Sequence, residues 1–492
     1  MDFSEQVRAT FARAPDRRAI EFRGVWYSWG DIAGFAEALD NMLSAAGIAA
    51  NVPVGIVARN RVFQVASILA LVAYGRPITM LHAFQSPEAL ATDIGNVKLA
   101  AIIAERQDWS DAAVAAARDV GTVGVALTGE LGSALAIVPG LDRLGPGPHR
   151  TASAEPTIEL LTSGTTGTPK RVPIKFSVLS RGVASGTLGA ADQDLPPNIM
   201  FWHIGNVGGV CNVITTGVVG SPMALMEKFS VAEFMDQVKR HKPTLISLTP
   251  TAVRMILDAK VPREAFTGVK SMFGGSAPLD AELEERFENT YGITVYWGYG
   301  ATEFCGTVVR WTPELREKFG TTKRGSIGAA MPGVGVRAVD AETGAVVPAG
   351  TPGLLEARVP EIGPDWIRTT DLVVIDADGF VFHKGRNDGA IVRGGFKVLP
   401  ETIVEVLRQH PSVADAAVVG LPDARLQEVP VAAVELRPGA PRPTDADLEA
   451  HIRRHLTAPH VPVRFMIVDA LPRTPSMKAS LKDIKRLFEA AA

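Results

Sequence analysis

Short apolar strands alternating with helices leave this chain few folds to choose from. Val54 to Val57 reads as a buried strand, Val62 to Ala73 as a helix, and Ile78 to Leu81 as a second strand. A helix near Pro87 to Gly95 and a strand at Ala100 to Ala104 follow. Strands that are apolar on both faces need a cover on both faces, so the pattern predicts a mainly parallel sheet with helices on either side. Ahead of it, Ala19 to Phe22 and Val25 to Tyr27 flank Arg23-Gly24 as a hairpin. Ser28 is placed to cap a helix through Phe35, Leu39 and Leu43. The alternation resumes with a helix carrying Val231, Phe234, Met235 and Val238, a strand at Leu245 to Leu248 and a helix from Pro250. A strand at Ser271 to Phe273, a helix at Asp280 to Tyr291 and a strand at Thr294 to Trp297 complete it.

From about Gly325, prolines and glycines punctuate short strands, which predicts a β-rich subdomain. There Asp376 to Gly379 turns Leu372–Ile375 back onto Phe380–His383. A boundary follows near Gly385-Arg386-Asn387-Asp388. Beyond it the spacing predicts a compact α+β unit with helices at Glu401 to Arg408, Asp445 to Leu456 and Leu481 to Ala490. Its strands are expected at Ala416 to Val419 and Val429 to Glu435. The expected fold class is thus α/β. A large domain over 1–386 holds parallel-sheet subdomains and the β-rich one, and a smaller domain spans 387–492.

One loop is chemically distinctive. Leu161 to Arg171 reads LTSGTTGTPKR and follows the apolar run Ile158 to Leu161. Hydroxyls, glycine N–H groups and a lysine offer many donors to polyanionic oxygen, so Thr162, Ser163, Gly164, Thr165, Thr166, Gly167 and Lys170 are candidate phosphate ligands. The spacing is not that of a Walker A loop, because Arg171 stands where Ser or Thr is needed. A flexible linker of this composition would seldom follow an apolar strand directly.

Composition narrows the partners. A net charge of −3 over 492 residues leaves no basic footprint for nucleic acid or a polybasic membrane signal. Val65 to Tyr74, the longest apolar run near the N-terminus, is too short to span a bilayer, and no secretory leader is read. Cys211 and Cys305 lack metal-ligand spacing, and two thiols in so long a chain suit a reducing cytoplasm. A monomer or homodimer is expected.

Five segments in order resemble the acyl-adenylate-forming superfamily, which includes acyl- and aryl-CoA synthetases, beetle luciferases and peptide-synthetase adenylation domains. They are LTSGTTGTPKR, GGSAPL from Gly274, YGATE from Tyr299, TTDL with KGRNDG, and LPRTPSMK ending at Lys478. The resemblance spans nearly the whole chain and implies ATP, Mg²⁺ and CoA as cofactors and co-substrates. It implies that the Thr/Ser/Gly loop clamps phosphates and that Gly274, Gly275, Ser276, Ala277 and Pro278 line adenine, with Tyr299 and Gly300 beside it. Thr302 would bond the α-phosphate, Glu303 would hold Mg²⁺, and Asp371 with Arg386 would take the ribose. Asp388 matches the hinge, and Lys478 the lysine between substrate carboxylate and α-phosphate. Arg393, Gly394 and Gly395 would face a thiol channel once a mobile C-terminal domain turns.

The chemistry needs these residue types independently. A carboxylate is a poor acyl donor, whereas its mixed anhydride with AMP loses AMP readily. Forming that anhydride brings two anions together, so cations are required at the reacting oxygens. His203 lies in FWHIGNVGGV, which matches the family's acyl pocket, with Gly205, Val207, Gly208 and Gly209, and the resemblance places His203 with Lys478, Thr302 and Glu303 among the catalytic candidates. A core histidine and helix-packing glycines are the alternatives. No acidic side chain lies between Phe201 and Thr215 to meet an ammonium group, which favours an acid with an uncharged acyl or aryl tail. Three positions depart from the family pattern. Met477 replaces a Gly before Lys478, Gly389 replaces an Asp, and Pro400 to Val404 lacks the usual Pro-x-Glu-Ile-Glu. The expected activity is an AMP-forming carboxylate–CoA ligase. An acyl carrier protein as acceptor is the alternative, with a luciferase-like oxygenase and a silent nucleotide-binding module behind it.

Overall fold

The computed structural model describes residues 2–491 apart from 84, 130–131, 152–153, 163–169, 187–194, 278, 394–395, 424–425, 457 and 475–476. The chain divides into two compact units. One comprises Met1–Ser247, Pro262–Met272 and Gly300–Thr307; the other comprises Leu248–Val261, Phe273–Tyr299 and Val308–Ala492.

The first unit is built on a seven-stranded sheet. Its order is Leu135–Ile137, Val123–Leu127, Ala101–Glu105, Val54–Ala58, Ile78–His82, Thr157–Thr162, Lys170–Lys175. The inner strands are parallel and only the two edges run antiparallel, as continuous apolar strands require. The helix Val62–Ala73 is apolar all round because every one of its residues is buried. Of its two interior polar side chains, Ser67 donates to the Phe63 carbonyl and Gln64 donates through Nε2 to the Val57 carbonyl, while Gln64 Oε1 is buried without a partner among the described residues. The hairpin Arg18–Phe22 with Val25–Ser28 joins Asn198–Met200 and Met223–Leu225 in a second sheet. Ser28 and Asp31 form a capping box that starts the helix Trp29–Ala45.

In the second unit, Gly335–Val339, Pro352–Arg358, Ile367–Ile375 and Val381–Arg386 form the β-rich subdomain, an antiparallel sheet in chain order. The C-terminal sheet runs Phe396–Val398, Ile391–Arg393, Gln427–Leu436, Val413–Asp423, with Phe465–Val468 parallel to Gln427–Leu436. Period-two alternation gives it two cores. Ala416, Val418, Ala432 and Val434 face the helices Pro400–Arg408 and Asp445–Arg453, whereas Ala417, Val419, Val431 and Ala433 face Ile484 and Phe488. The second helix stops at Arg453, short of the predicted Leu456, because the next amides tighten into i→i+3 bonds, Arg454 to His451 and His455 to Ile452.

Buried Asp415 anchors this sheet. It accepts from Arg408 at 2.9 Å and Arg473 at 2.9 Å, and their charges with that of Arg254 overcome its burial and hold its pKa down at about 2. Arg254 is itself made less basic by burial and by Arg408, so the net gain is smaller than Asp415 alone suggests. A carboxylate with a depressed folded pKa stabilises above its unfolded value and loses that contribution as pH falls. Asp415→Asn is expected to cost at most about 2 kcal/mol at pH 7. The difference from the parent should shrink below about pH 4. Urea melts of both proteins from pH 7 to pH 3 check this; a gap independent of pH would remove the charge as its cause.

Candidate functional site

Asp371 lies opposite Arg386 in the antiparallel pair Ile367–Ile375 and Val381–Arg386. A register shift between Leu372 and Val373 brings His383 onto the same carboxylate. The Tyr299 hydroxyl donates to Asp371 Oδ2, and His383 Nε2 donates to Oδ1 at 3.3 Å. His383 Nδ1 accepts from the Gly385 amide at 3.2 Å, which fixes the tautomer that donates to Asp371. Arg386 Nε stands 4.0 Å from the same carboxylate, and its Nη2 donates to Thr370 Oγ1 at 2.6 Å. Burial alone would raise Asp371; the bonds from His383 and Tyr299 outweigh it and lower the pKa. Tyr299 moves up, by burial first and then by the charge of Asp371, so it remains a donor. A carboxylate offers about four lone-pair directions, so Asp371 can accept from a vicinal diol while keeping both protein partners.

The strand Ser271–Gly274 ends against Trp297. A Cβ at Gly274 would lie 1.8 Å from the indole ring, so only glycine fits. Trp297 Nε1 donates to the Ala277 carbonyl at 3.1 Å and sets the path of the following turn. Gly275 is less tightly confined, since a Cβ there would lie 3.0 Å from the Gly298 carbonyl oxygen, and Ser276 takes a left-handed φ of 68° with its side chain exposed. Pro278 lies outside the described residues.

Lys478 belongs to the same unit and keeps solvent contact. The protein mass around it lowers its pKa, the charge of Arg386 adds to this, and Asp371 opposes it. The structure therefore brings the expected lysine into the electrostatic neighbourhood of the expected ribose acceptor. Asp388 sits in a single 3-10 turn, Asn387–Gly389. Gly385 before it has φ 117°, and a Cβ there would meet Glu401 Oε2 at 2.8 Å. Arg393 Nη1 donates to the Ala458, Pro459 and Val461 carbonyls, so its side chain ties down that loop and is not presented to a channel in this conformation. Gly394 and Gly395 lie outside the described residues.

In the first unit, Thr157–Thr162 and Lys170–Lys175 pair antiparallel, with Thr162 opposite Lys170. The phosphate-loop candidates Ser163, Gly164, Thr165, Thr166 and Gly167 lie outside the described residues. Thr302 and exposed Glu303 form a 3-10 turn, Thr302–Phe304, ended by Cys305 at φ 51°. Arg181 braces this turn through the Phe304 and Thr307 carbonyls at 3.3 and 2.9 Å. Gly300 is a close-approach position, where a Cβ would stand 2.3 Å from the Gly306 carbonyl. Cys305 is buried beside Cys211, whose thiol is pushed up by its bond to Cys305 and by burial. Among the described residues no three His, Cys, Asp or Glu side chains form a metal cage. One exposed carboxylate at Glu303 fits Mg²⁺ that arrives on phosphates, because this ion commonly keeps waters and needs only one or two protein carboxylates.

His203 is buried, with Nε2 donating to the Ala58 carbonyl at 3.1 Å and Nδ1 accepting from the Gly205 amide at 3.2 Å. Burial first, then the nearby His82, push its pKa down to about 4. Its ring is neutral and held by backbone on both sides, which suits a fixed wall. The glycines also separate. A Cβ at Gly209 would strike the His203 carbonyl at 2.1 Å, and one at Gly205 the His203 ring at 2.7 Å, so both are packing glycines. Gly208 has nothing within 4 Å of that position and is exposed, with half-buried Val207 beside it.

Sequence reasoning missed His383 and Arg181. His383 reached the site through a register shift, and Arg181 acts on backbone carbonyls distant in sequence. Neither carries a local signal.

Comparison with known proteins gives the same outline. Residues 7–364 match the AMP-binding enzyme family, and residues 403–478 match the AMP-binding enzyme C-terminal domain. A sulfoacetate–CoA ligase of Cupriavidus necator is 30% identical over 479 residues, covering 92% of this chain and 90% of that protein. A fatty acid–[acyl-carrier-protein] ligase of Streptomyces coeruleorubidus is 30% identical over 364 residues, covering 70% and 69%. The solved o-succinylbenzoate CoA synthetase of Bacillus subtilis, in complex with its acyl-adenylate intermediate, superimposes with a TM-score of 0.78 at 21% identity, covering 98% of both chains. At that identity it shows the shared fold alone. No described helix is long and apolar enough to cross a membrane.

Proposed function

Since the chain belongs to the AMP-binding enzyme family, we propose that it joins a carboxylic acid to CoA through an acyl-adenylate, releasing AMP and pyrophosphate. The observation that carries this reading is the cluster of Asp371, Tyr299, His383 and Arg386, with Lys478 under the influence of the same charges. Asp371 accepts from the ribose hydroxyls, and Tyr299 and His383 hold it ionised and oriented. Lys478 neutralises the two anions that must meet when the carboxylate attacks the α-phosphorus and pyrophosphate leaves. Thr302 donates to the α-phosphate and Glu303 ligates the Mg²⁺ that enters with ATP. Thr162, Lys170 and the loop between them hold the outer phosphates, and Gly274 to Pro278 flank the base. Asp388 is the pivot about which residues 387–492 turn, because Lys478 must withdraw before a thiol can reach the same carbonyl.

Pyrophosphate release across a panel of aliphatic, aromatic and polycyclic acids tests the first half-reaction. Free CoA against a holo acyl carrier protein tests the second. The relative that loads an acyl carrier protein keeps that acceptor as the second reading. If no acid gives pyrophosphate, the ligase reading fails. Acyl transfer only to the carrier protein would favour the alternative.

Gly208 is the position we read as facing the acid's tail. A leucine there projects into open space, so it should exclude large acids from the panel, with overpacking worth about 1–3 kcal/mol for the acid that fills the space. ATP affinity and activity on the smallest acids should hold. Equal loss on every acid would assign Gly208 to the fold, where Gly209 already belongs.

A further inference from the structure

Lys478 is carried by a loop that is held both by its own backbone bonds and from a neighbouring helix. Met477, immediately before it, has φ 63°, the left-handed region that a side chain with a Cβ occupies only at a cost. Within the loop, the Met477 amide donates to the Thr474 carbonyl at 2.8 Å and the Thr474 amide to the Lys478 carbonyl at 2.7 Å. The Met477 carbonyl is held from outside. Thr251 Oγ1 donates to it at 3.1 Å, and Arg473 Nη1 reaches both that carbonyl and Thr251 Oγ1 at 3.4 Å. Arg473 is fixed in turn by Asp415 Oδ2 at 2.9 Å.

Thr251 is not an isolated contact. It lies in the helix Pro250–Asp258, and Arg254 and Asp258 share its face at i+3 and i+7. All three meet the C-terminal segment. Arg254 Nη1 donates to the Ala414 carbonyl at 3.3 Å, and Asp258 lies 3.7 Å from Arg437 Nη1. One polar stripe thus contacts Met477, Ala414 and Arg437, with the apolar side chains Val253, Ile256 and Leu257 buried on the rest of the helix.

We propose that this stripe is the seat on which the C-terminal segment docks for adenylate formation, and that Thr251 is the positioning residue that sets the Lys478 loop through the Met477 carbonyl. The reaction assignment rests on the ligase reading above; the docking itself does not. A neutral hydroxyl bond from the helix to a strained backbone suits a contact made and released in each cycle, since its loss loosens the loop, which Arg473 still reaches at 3.4 Å, without leaving a buried charge unpaired.

The test uses the full-length protein and two readouts. Brief labelling of the protein without substrates by an amine-reactive ester, read by peptide mass spectrometry, reports the order of Lys478 independently of any reaction. Thr251→Val should raise Lys478 labelling about three- to tenfold, the range for losing one hydrogen bond. Thr251→Ser keeps the hydroxyl and should match the parent. Met477→Gly in the Thr251→Val background should bring labelling back down, because glycine holds φ 63° without help. In the second readout, pyrophosphate release should fall by about the same factor in Thr251→Val, while thioester formation from pre-made acyl-adenylate stays at the parent rate. Unchanged Lys478 labelling in Thr251→Val overturns the proposal. Equal slowing of both half-reactions also overturns it, because Thr251 would then serve the fold. A parent protein that releases no pyrophosphate with any acid would instead defeat the ligase reading, and the labelling would still decide the docking.

Discussion

Lys478→Ala is expected to lower acid-dependent pyrophosphate release by about two to three orders of magnitude, with ATP affinity changed little. The lysine meets charge that grows as the carboxylate approaches the α-phosphorus, so its contribution falls mainly in the transition state. Removing one oriented donor from such a site costs roughly 3–4 kcal/mol. Lys478 stands where the surrounding protein mass and Arg386 lower its pKa and Asp371 pulls it back, which agrees with this role. A cation that keeps solvent contact there is available to substrate anions. Thioester formation from pre-made acyl-adenylate should survive, because that step needs the lysine withdrawn. Rapid-quench measurement of each half-reaction provides the check. Near-parental pyrophosphate release would end the assignment of Lys478.

Asp371→Asn should have the second largest effect, raising the KM for ATP by about ten- to a hundredfold, the range for a hydrogen bond to a charged group plus lost orientation. Asparagine matches the shape and removes the charge, but its amide nitrogen is a donor. Tyr299 and His383 both donate to Asp371, so one of them would face another donor or turn away. Both partners then lose the group that orders them, and a melting temperature lower than the parent's should accompany the binding defect. The discriminating ligand is 2′,3′-dideoxy-ATP. The parent should bind it more weakly than ATP, and the variant should bind both alike. If the variant still prefers ATP as strongly as the parent does, Asp371 is not the ribose acceptor.

The extent to which the sequence was legible depended on how local the signal was. The helix Val62–Ala73 was predicted with its observed bounds, because a run that is apolar apart from Gln64 and Ser67 and is closed by Gly75-Arg76-Pro77 is too long for a strand. The strands Val54–Ala58, Ile78–His82 and Ala101–Glu105 followed for the same reason, whereas their parallel neighbour Val123–Leu127 was not among the expected strands, and Ser28 announced its cap through local backbone bonds. The long hairpin Val413–Asp423 with Gln427–Leu436 was seen only as two short cores, since its outer rungs are fixed by pairing across strands. Among the glycines of FWHIGNVGGV, the sequence could not separate room from packing. Gly209 and Gly205 lie against His203, and Gly208 faces open space, a difference created by where the backbone of residue 203 passes.

The sequence by itself determined the layered α/β architecture, the β-rich insert, the α+β C-terminal segment and the identity of the charged groups. Each of these rests on periodicity, turn residues or ordered motifs that neighbouring residues fix. Only the tertiary structure decided that His383 and Tyr299 share Asp371, that His203 has both nitrogens bonded to backbone, and that Thr251 holds the carbonyl beside Lys478. The Tyr299, Ala58 and Thr251 contacts join residues from 72 to 226 positions apart, whereas the Gly205 bond to His203 is local and the place of His383 depends on a one-residue register shift. Strand register and side-chain direction are set by packing summed over whole sheets, so no window of sequence carries them.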